Sequence, residues 1–122
     1  MSIPYKTGLV VKTVAGKRVT VPRFYPKGPF SLHRSVGRRG WTVTHTASRH
    51  SLVQCLPSLR DALMAAEEFE RLTPKWAQCT SPFGLYRDMK AVMNVRELHA
   101  INYLIKQLET MTAAKYRGAT PP

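Results

Sequence analysis

Apolar and polar residues alternate in the first half of the chain and recur every three to four positions in the second half. Residues 9–14 are dominated by β-branched and apolar side chains, and residues 18–21 alternate polar with apolar. Such alternation is typical of half-buried strands, and Gly16 between them suits a tight turn. The pattern predicts a β-hairpin that ends at Pro22, which has no backbone N–H to donate.

A second pair of strands is predicted after a long irregular segment. Residues 24–40 carry prolines and glycines that interrupt regular structure, so we expect a functional or disordered loop there. Residues 41–45 alternate again, and a turn at 46–50 leads to a fourth strand at 51–56. The side chains that share one face of the third strand are Trp41, Val43 and His45. We expect an antiparallel sheet made of two successive hairpins.

The helical period begins after the fourth strand. Ser58 is in the position of an N-cap, and Asp61 lies three residues later, as in a capping box. Pro74 cannot continue the helix, which is therefore predicted over residues 59–72. Its apolar stripe consists of Leu59, Ala62, Leu63, Ala66, Phe69 and Leu72.

Two more helical stretches follow, over 84–93 and 95–111. The phase of the apolar positions slips between them, and Asn94 with Glu97 has capping-box spacing, so the pattern fits either two helices or one kinked helix. From residue 115 we expect a flexible C-terminal tail, residues 115–122. The whole is predicted to be one α+β domain over residues 1–114, with a small antiparallel sheet of three to four strands followed by two or three C-terminal helices.

Composition places the chain among ordinary globular proteins. It has 122 residues, of which 43% are hydrophobic and 21% charged, so it is the size of one domain and can bury a core. No apolar run approaches the ~18 residues that span a bilayer. The first residues carry no secretory apolar stretch, so we expect a cytoplasmic protein with no membrane partner. Cys55 and Cys79 are expected to be reduced thiols.

Charge is unevenly distributed along the chain. The formal net charge is +12, and residues 1–60 contain eleven Lys or Arg and no Asp or Glu, whereas residues 61–122 contain eight basic and seven acidic residues. Like charges brought together by folding cost stability, which a polyanionic partner would relieve. Nucleic acid is the simplest such partner, although positive charge can also serve solubility alone.

The candidate binding surface combines cations with aromatic side chains. Cations match phosphates and aromatic faces stack on exposed bases, although aromatic residues in a long loop can also be core anchors. The predicted nucleic-acid-binding residues are Lys17, Arg18, Arg23, Lys27, Arg34, Arg38, Arg39 and Arg49. The stacking candidates are Tyr25, Phe30 and His33.

Metal-dependent and nucleophilic chemistry are poorly supported by the sequence. Structural zinc sites carry closely spaced ligand pairs, which His45, His50, Cys55 and Cys79 do not provide. Asp88-Met89-Lys90 has the spacing of a nuclease element but lacks an acidic partner upstream. We therefore predict no catalytic residues, no metal and no cofactor.

Residues 41–76 resemble a segment of short uncharacterised phage and prophage proteins. The resemblance consists of an aromatic residue that opens a strand, a following Thr-His pair, a second strand, and an Ala-rich helix before a tryptophan. Here these are Trp41, Thr44-His45, Leu52 to Cys55, residues 59–72 and Trp76. The sequence departs from the pattern at Ser48-Arg49, where such turns often carry glycine. The sheet-then-helix layout is also similar to integrase amino-terminal DNA-binding domains.

The resemblance implies a phage-type accessory protein, located in the bacterial host cytoplasm, and assigns no active residues. Together with the charge pattern it predicts a non-catalytic protein that binds DNA or RNA. The alternative is an interaction protein that binds and modulates, for example inhibits, a host nucleic-acid-processing enzyme with an acidic surface. Its contact would be the apolar surface of the last helix, which could equally form a homodimer.

Overall fold

The computed structural model describes residues 7–12, 18–24, 28–80 and 84–119. In these ranges the chain forms a sheet region followed by a helical region. The strands are β1 (Thr7–Lys12), β2 (Arg18–Arg23), β3 (Phe30–Arg34), β4 (Trp41–His45) and β5 (His50–Leu56). The helices are α1 (Leu59–Leu72), a 3-10 turn (Lys75–Gln78), α2 (Leu85–Val92) and α3 (Val95–Ala119). The predicted class, a small antiparallel α+β fold, is confirmed.

The strands form two antiparallel units. β1 pairs with β2, and β3, β4 and β5 form a three-stranded sheet with β4 in the centre. Two backbone hydrogen bonds between Phe24 and Leu32, of 2.7 and 3.1 Å, connect the end of β2 to β3. The predicted hairpin around Gly16 is therefore present as β1 and β2, while the turn itself lies outside the described residues.

The position of β3 corrects the sequence prediction. Residues 24–40 were expected to be irregular, yet Phe30–Arg34 is a strand paired along its length with β4. Phe30 and Leu32 are fully buried and alternate with Ser31 and His33, so the period of two is present. The strand has only five residues, with prolines and a glycine before it and glycines after it, so the sequence signal for a strand is weak.

The core lies between the three-stranded sheet and α1. Alanines on the buried face of α1 let the helix approach the sheet closely, and Phe69 and Trp76 fill the remaining space beside Phe30. The Trp76 indole N–H donates to the Phe69 carbonyl at 2.7 Å, so its one polar group is satisfied inside the core. The ring centroids of Phe30 and Trp76 are 4.9 Å apart, in an edge-to-face arrangement.

α1 begins and ends as predicted. The Ser58 hydroxyl accepts a hydrogen bond from the Asp61 backbone N–H at 3.0 Å and donates to the Asp61 carboxylate at 2.9 Å. This satisfies one of the free N–H groups of the first turn and places a negative charge at the positive end of the helix dipole. The helix ends at Leu72, before Pro74.

α2 and α3 are separate helices, which decides between the two alternatives. The Asn94 side chain accepts from the Glu97 N–H at 2.8 Å, and the Glu97 carboxylate accepts from the Asn94 N–H at 2.9 Å. This reciprocal capping box starts α3, which then runs to Ala119. Residues 115–119, which were assigned to a C-terminal tail, thus continue α3, and residues 120–122 lie outside the described residues.

α1 and α3 run antiparallel to each other. Lys115 near the end of α3 pairs with Asp61 near the start of α1 at 3.7 Å, and Glu97 at the start of α3 pairs with Lys75 just after α1 at 2.7 Å. The two ion pairs lie at opposite ends of the helix pair. No helix in the described part of the chain is both long and apolar enough to cross a membrane.

Candidate nucleic-acid interface

Three predicted arginines meet at one end of the three-stranded sheet. Arg34 ends β3, and Arg38 and Arg39 lie in the 35–40 loop that leads to β4; all three are exposed. We call this end, defined by Arg34, Arg38 and Arg39, the arginine end. Arg60 lies near it as well, because β5 ends here beside Trp41 and α1 begins directly afterwards.

The 35–40 loop follows β3 directly and is held by hydrogen bonds to β4 and β5. The Ser35 N–H donates to the Gly40 carbonyl at 2.9 Å, which closes the loop. The buried Ser35 hydroxyl pairs with the Thr42 hydroxyl at 2.8 Å and accepts from the Cys55 N–H at 3.1 Å. The arginines are therefore carried by a braced loop.

Gly40 is the point of closest approach in this loop. Its φ of +94° lies in the left-handed region. A Cβ at this position would come within 2.7 Å of the Cys55 carbonyl carbon, the Leu56 oxygen and the Tyr116 hydroxyl. Only glycine lets the loop lie against β5 and α3 in this way.

Two of the arginines lie on aromatic rings. The Arg34 guanidinium is 4.6 Å from the Trp41 ring centroid, and the Arg39 guanidinium is 4.7 Å from that of Tyr116. The Tyr116 hydroxyl also donates to the Cys55 carbonyl at 2.7 Å, which fixes the ring against β5. Cation–π contact of this kind restricts the guanidinium while its other face stays available.

Among the described residues, Arg34, Arg38 and Arg39 form no ion pair, and Glu109 is an acidic residue that shares a cleft with two of them. Within the described ranges the ion pairs are Arg71 with Glu68, Lys75 with Glu97 and Lys115 with Asp61. Each of these cations belongs to the second half of the chain. The three positive charges of Arg34, Arg38 and Arg39 therefore face at most one nearby carboxylate, Glu109, and are not paired with it.

The remaining predicted cations are placed differently. Arg49 is exposed in the 46–49 turn, which joins β4 to β5 and so lies at the opposite end of the sheet from the arginine end. Its φ of 65° is the conformation for which such turns usually use glycine. Arg18 is exposed at the start of β2, and Arg23 is partly buried and donates to the Ser31 hydroxyl at 3.4 Å. Lys17, Lys27 and the stacking candidate Tyr25 lie outside the described residues.

Phe30 and His33 require a correction. Phe30 is 0% and His33 3% exposed, so neither ring presents a face on which a base could stack. Phe30 packs in the core against Phe69 and Trp76. Basic residues interleaved with aromatic ones do not distinguish a surface loop from a strand, and here the aromatic positions belong to β3.

His33 belongs to a row of hydrogen bonds between the polar side chains of β3 and those at and beside β4. The pairs are Ser31 with Thr46 at 2.7 Å, His33 with Thr44 at 2.7 Å and Ser35 with Thr42 at 2.8 Å. These side chains alternate with the core residues Phe30 and Leu32, so they occupy the other face of the sheet. The row joins the two strands that carry the arginine loop.

The hydrogen bonds of His33 define its proton positions. Its Nδ1 faces the Arg34 carbonyl at 2.8 Å and must donate, which leaves Nε2 to accept from the Thr44 hydroxyl. Burial lowers the pKa of His33, and the Arg34 carbonyl opposes that effect in part. The ring is therefore neutral at physiological pH.

His45 is a second buried, neutral histidine. Its Nε2–H donates to the Trp76 carbonyl at 2.9 Å, and its Nδ1 lies 2.9 Å from the Ser48 hydroxyl. Burial again lowers its pKa, against the effect of the Trp76 carbonyl. A Ser–His pair is the arrangement of an activated nucleophile, but each member here is 1% exposed. The contacts tie the 46–49 turn to the 3-10 turn.

Metal-ligating side chains are scattered. In the part of the chain that the structure describes, no three His, Cys, Asp or Glu residues lie close enough together to hold a metal ion. Cys55 and Cys79 are free thiols. Burial raises the pKa of Cys79, which makes it a poor nucleophile.

One cleft adjoins the arginine end and another lies away from it. The first, of about 490 Å³, runs between β5 and α3, and Arg38, Arg39, Glu109 and Tyr116 contribute to its walls. The second, of about 580 Å³, is lined largely by apolar side chains beside Trp76 and includes the Glu70 carboxylate. Charge makes the first cleft the better match for an anionic ligand.

Sequence reasoning missed Trp41, Tyr116 and Arg60 as parts of this surface. Trp41 was predicted on the third strand, but its contact with Arg34 depends on strand register. Tyr116 fell in the segment expected to be a tail. The alternation of apolar and polar residues from Trp41 onwards was the one available signal for this surface. It places an aromatic ring at the start of the strand that follows the arginine loop.

Comparison with models of protein families, with curated proteins and with solved structures finds no match to this chain. The geometry of its own residues is therefore the basis for a functional proposal.

Proposed function

We propose that the protein binds nucleic acid without catalysing a reaction, as a phage-type accessory protein, and that the arginine end is its phosphate-binding surface. The observation that carries the proposal is the set of three exposed arginines, Arg34 at the end of β3 and Arg38 and Arg39 on the braced loop, none of which forms an ion pair among the described residues. A polyanion would supply the missing counter-charge.

Arginine suits this task for geometric reasons. Its planar guanidinium donates two parallel hydrogen bonds to a phosphate, which a lysine ammonium cannot do. Trp41 under Arg34 and Tyr116 under Arg39 restrict the side chains before any ligand arrives. Less conformational entropy is then lost on binding.

The proposal predicts how binding depends on salt. Three phosphate contacts would give a slope of about −2.7 for log K against log salt on duplex DNA, since each contact contributes about −0.9. Contacts from Arg18, Arg49 or the cations outside the described residues would make the slope steeper. Fluorescence anisotropy with labelled duplex DNA, single-stranded DNA and RNA over a salt series measures it. Absence of binding to all three at low salt would rule the proposal out.

A second candidate function rests on a different surface. Large apolar side chains on α2 and α3 remain exposed: Tyr86 by 53%, Val95 by 67% and Tyr103 by 63%. Exposed aromatic residues of this size are common at protein–protein contacts. The protein would then bind a host nucleic-acid-processing enzyme and modulate it, with the helices as the contact or with its basic face in an acidic groove.

A pull-down from nuclease-treated host lysate separates the two candidates. A partner protein that survives digestion and is lost with a Tyr86→Ser and Tyr103→Ser variant supports the protein contact. A partner that disappears with the nucleic acid argues for nucleic-acid binding at the arginine end, whereas a protein that survives digestion and is retained by that variant indicates a protein contact through the basic face.

A further inference from the structure

We infer that the cleft between β5 and α3 is a pocket for one unpaired nucleotide. The inference rests on the proposed function and deepens it, because it assigns the arginine end a preference for single strands or flipped bases over intact duplex. Its basis is the junction of a cleft of suitable size with the stacked pair Arg39 and Tyr116 and the cation Arg38.

The size and walls of the cleft fit such a ligand. Its volume of about 490 Å³ falls in the range of small-molecule sites, ~300–1,000 Å³. One wall is β5, from Ser51 to Cys55, and the other is the last part of α3. Thr112 in that wall is 7% exposed, and its hydroxyl has no hydrogen-bond partner among the described residues.

The stacked pair gives the base a platform. The Arg39 guanidinium covers one face of the Tyr116 ring at 4.7 Å, and Arg39 is itself exposed. Guanidinium planes are among the surfaces on which unstacked bases pack in protein complexes. A base that enters the cleft would therefore continue the stack as its third layer.

Charge orients the nucleotide in the cleft. Arg38 and Arg39 attract the phosphate towards the 35–40 loop, while the Glu109 carboxylate on the α3 side repels it. The base then faces Glu109, which accepts hydrogen bonds from an exocyclic amino group. An adenine, cytosine or guanine satisfies that carboxylate, whereas uracil and thymine present carbonyl oxygens at the corresponding edge.

The fixed geometry of the platform makes the pocket rigid. The hydrogen bond from Tyr116 to the Cys55 carbonyl and the glycine at position 40 hold α3, β5 and the arginine loop in mutual contact. A preformed site loses little entropy when it binds a small ligand.

A pair of alanines on α3 provides a matched test. Ala113 lines the cleft, and Ala114 is exposed on the same helix and does not line it. Leucine has nearly the helix propensity of alanine, so Ala113→Leu fills the cleft without removing a cation, and Ala114→Leu is the control. Both full-length variants should have the circular dichroism spectrum and melting temperature of the parent protein.

The direct measurement is titration with AMP, adenosine and inorganic phosphate, observed by NMR chemical shifts of the full-length protein. We expect AMP to bind more tightly than either adenosine or phosphate. Ala113→Leu should lower the affinity for AMP at least about tenfold, which is the range of one base–aromatic stack. Ala114→Leu should leave AMP binding unchanged, and UMP should bind more weakly than AMP.

A parallel measurement separates failure of the pocket from failure of the proposed function. In fluorescence anisotropy, Ala113→Leu should lower the affinity for single-stranded DNA several-fold and leave the affinity for duplex DNA unchanged. If AMP does not bind, or if Ala113→Leu binds AMP as well as Ala114→Leu does, the pocket is wrong. Retained DNA binding in that case leaves the phosphate-binding surface standing, whereas loss of all nucleic-acid binding by the parent protein refutes both.

Discussion

Gly40 determines where three cations lie, although it has no side chain of its own. Gly37 in the same loop also has a positive φ, of 69°, but nothing lies within 4 Å of its Cβ position. Alanine variants at the two positions therefore separate the cost of the left-handed backbone from the cost of a steric clash. Both alanine variants bear the left-handed backbone, which costs about 1–2 kcal/mol, and only Gly40→Ala adds the clash with Cys55, Leu56 and Tyr116.

We predict that Gly40→Ala lowers the free energy of unfolding by about 3 kcal/mol or more, and Gly37→Ala by only about 1 kcal/mol. Urea denaturation followed by tryptophan fluorescence measures both. Gly40→Ala should also weaken DNA binding, because the arginine loop moves away from β5. If the two variants are destabilised equally, the loop at Gly40 does not pack against Cys55, Leu56 and Tyr116 as described.

The two buried histidines predict the dependence of stability on pH. The pKa values of His33 and His45 are lowered in the folded protein, mainly by burial. Below pH 6.5 the unfolded chain binds protons that the folded protein does not bind, so folding becomes less favourable as pH falls from 6.5 towards the lowered values. Above pH 6.5 both states hold neutral rings and this contribution is constant.

The expected result is a plateau in the free energy of unfolding above about pH 7 and a decline below it, of at most about 1.4 kcal/mol per pH unit for each histidine. Urea denaturation at a series of pH values between 5 and 8 measures the curve. The variant His45→Gln should have a shallower decline. An unchanged free energy between pH 5.5 and 7.5 would mean that these rings are not buried as neutral groups.

At the scale of elements, the ion pair and capping box at the start of α3 connect it to the end of α1. Glu97 accepts from the Lys75 ammonium at 2.7 Å and from the Asn94 N–H at 2.9 Å. The hydrogen bond from Lys75 is the largest of the effects that lower the pKa of Glu97 to about 2. The carboxylate therefore stabilises the fold above pH 4.5, and its contribution disappears as pH falls from 4.5 through about 2.

We predict that Glu97→Gln lowers the melting temperature at pH 7, because glutamine keeps the capping geometry but loses the charge opposite Lys75. Glu67→Gln, at an exposed position of α1, is the control with the same change in net charge. The difference between Glu97→Gln and the parent protein should shrink as pH falls below 4.5. If both variants melt alike at pH 7, the ion pair does not hold α1 to α3.

The helices were more predictable than the strands, for physical reasons. α1 has a capping serine, a strong apolar stripe and a proline after its end, all of them local signals. β3 was missed because its local signals are glycine and proline, while its pairing with β4 is tertiary. The end of α3 was missed because Lys115 and Tyr116 are fixed by contacts with Asp61 and Cys55, far away in the sequence.

The candidate site was predictable only in part. Net charge by region identified the arginines, and the structure brings Arg34, Arg38 and Arg39 to one end of the sheet. Arg49 lies apart from them, because successive turns of an antiparallel sheet lie at opposite ends of the strands. A count of charges along the sequence does not include this topology. Aromatic identity predicted nothing about exposure: Phe30 is in the core, while the missed residues Trp41 and Tyr116 support the arginines.

For the whole molecule, we expect nucleic-acid binding to depend more on where the positive charge lies than on the net charge. The helices carry exposed cations of their own, including Arg87, Arg96 and Lys106. Arg96 follows the start of α3, which meets the end of α1 and so lies away from the arginine end. Neutralising these three side chains changes net charge as much as neutralising the three arginines of the loop. The two triple variants therefore remove the same charge from different parts of the molecule.

The most direct measurement compares these charge-matched variants in binding to one labelled single-stranded DNA at low salt. The central claim predicts that Arg34→Gln, Arg38→Gln and Arg39→Gln together weaken binding at least about tenfold and reduce the magnitude of the salt slope by roughly 2, since single strands contribute about −0.7 per contact. Arg87→Gln, Arg96→Gln and Lys106→Gln together should change it less than about threefold. Equal weakening by both triple variants would contradict the claim, because binding would then follow net charge rather than the arginine end.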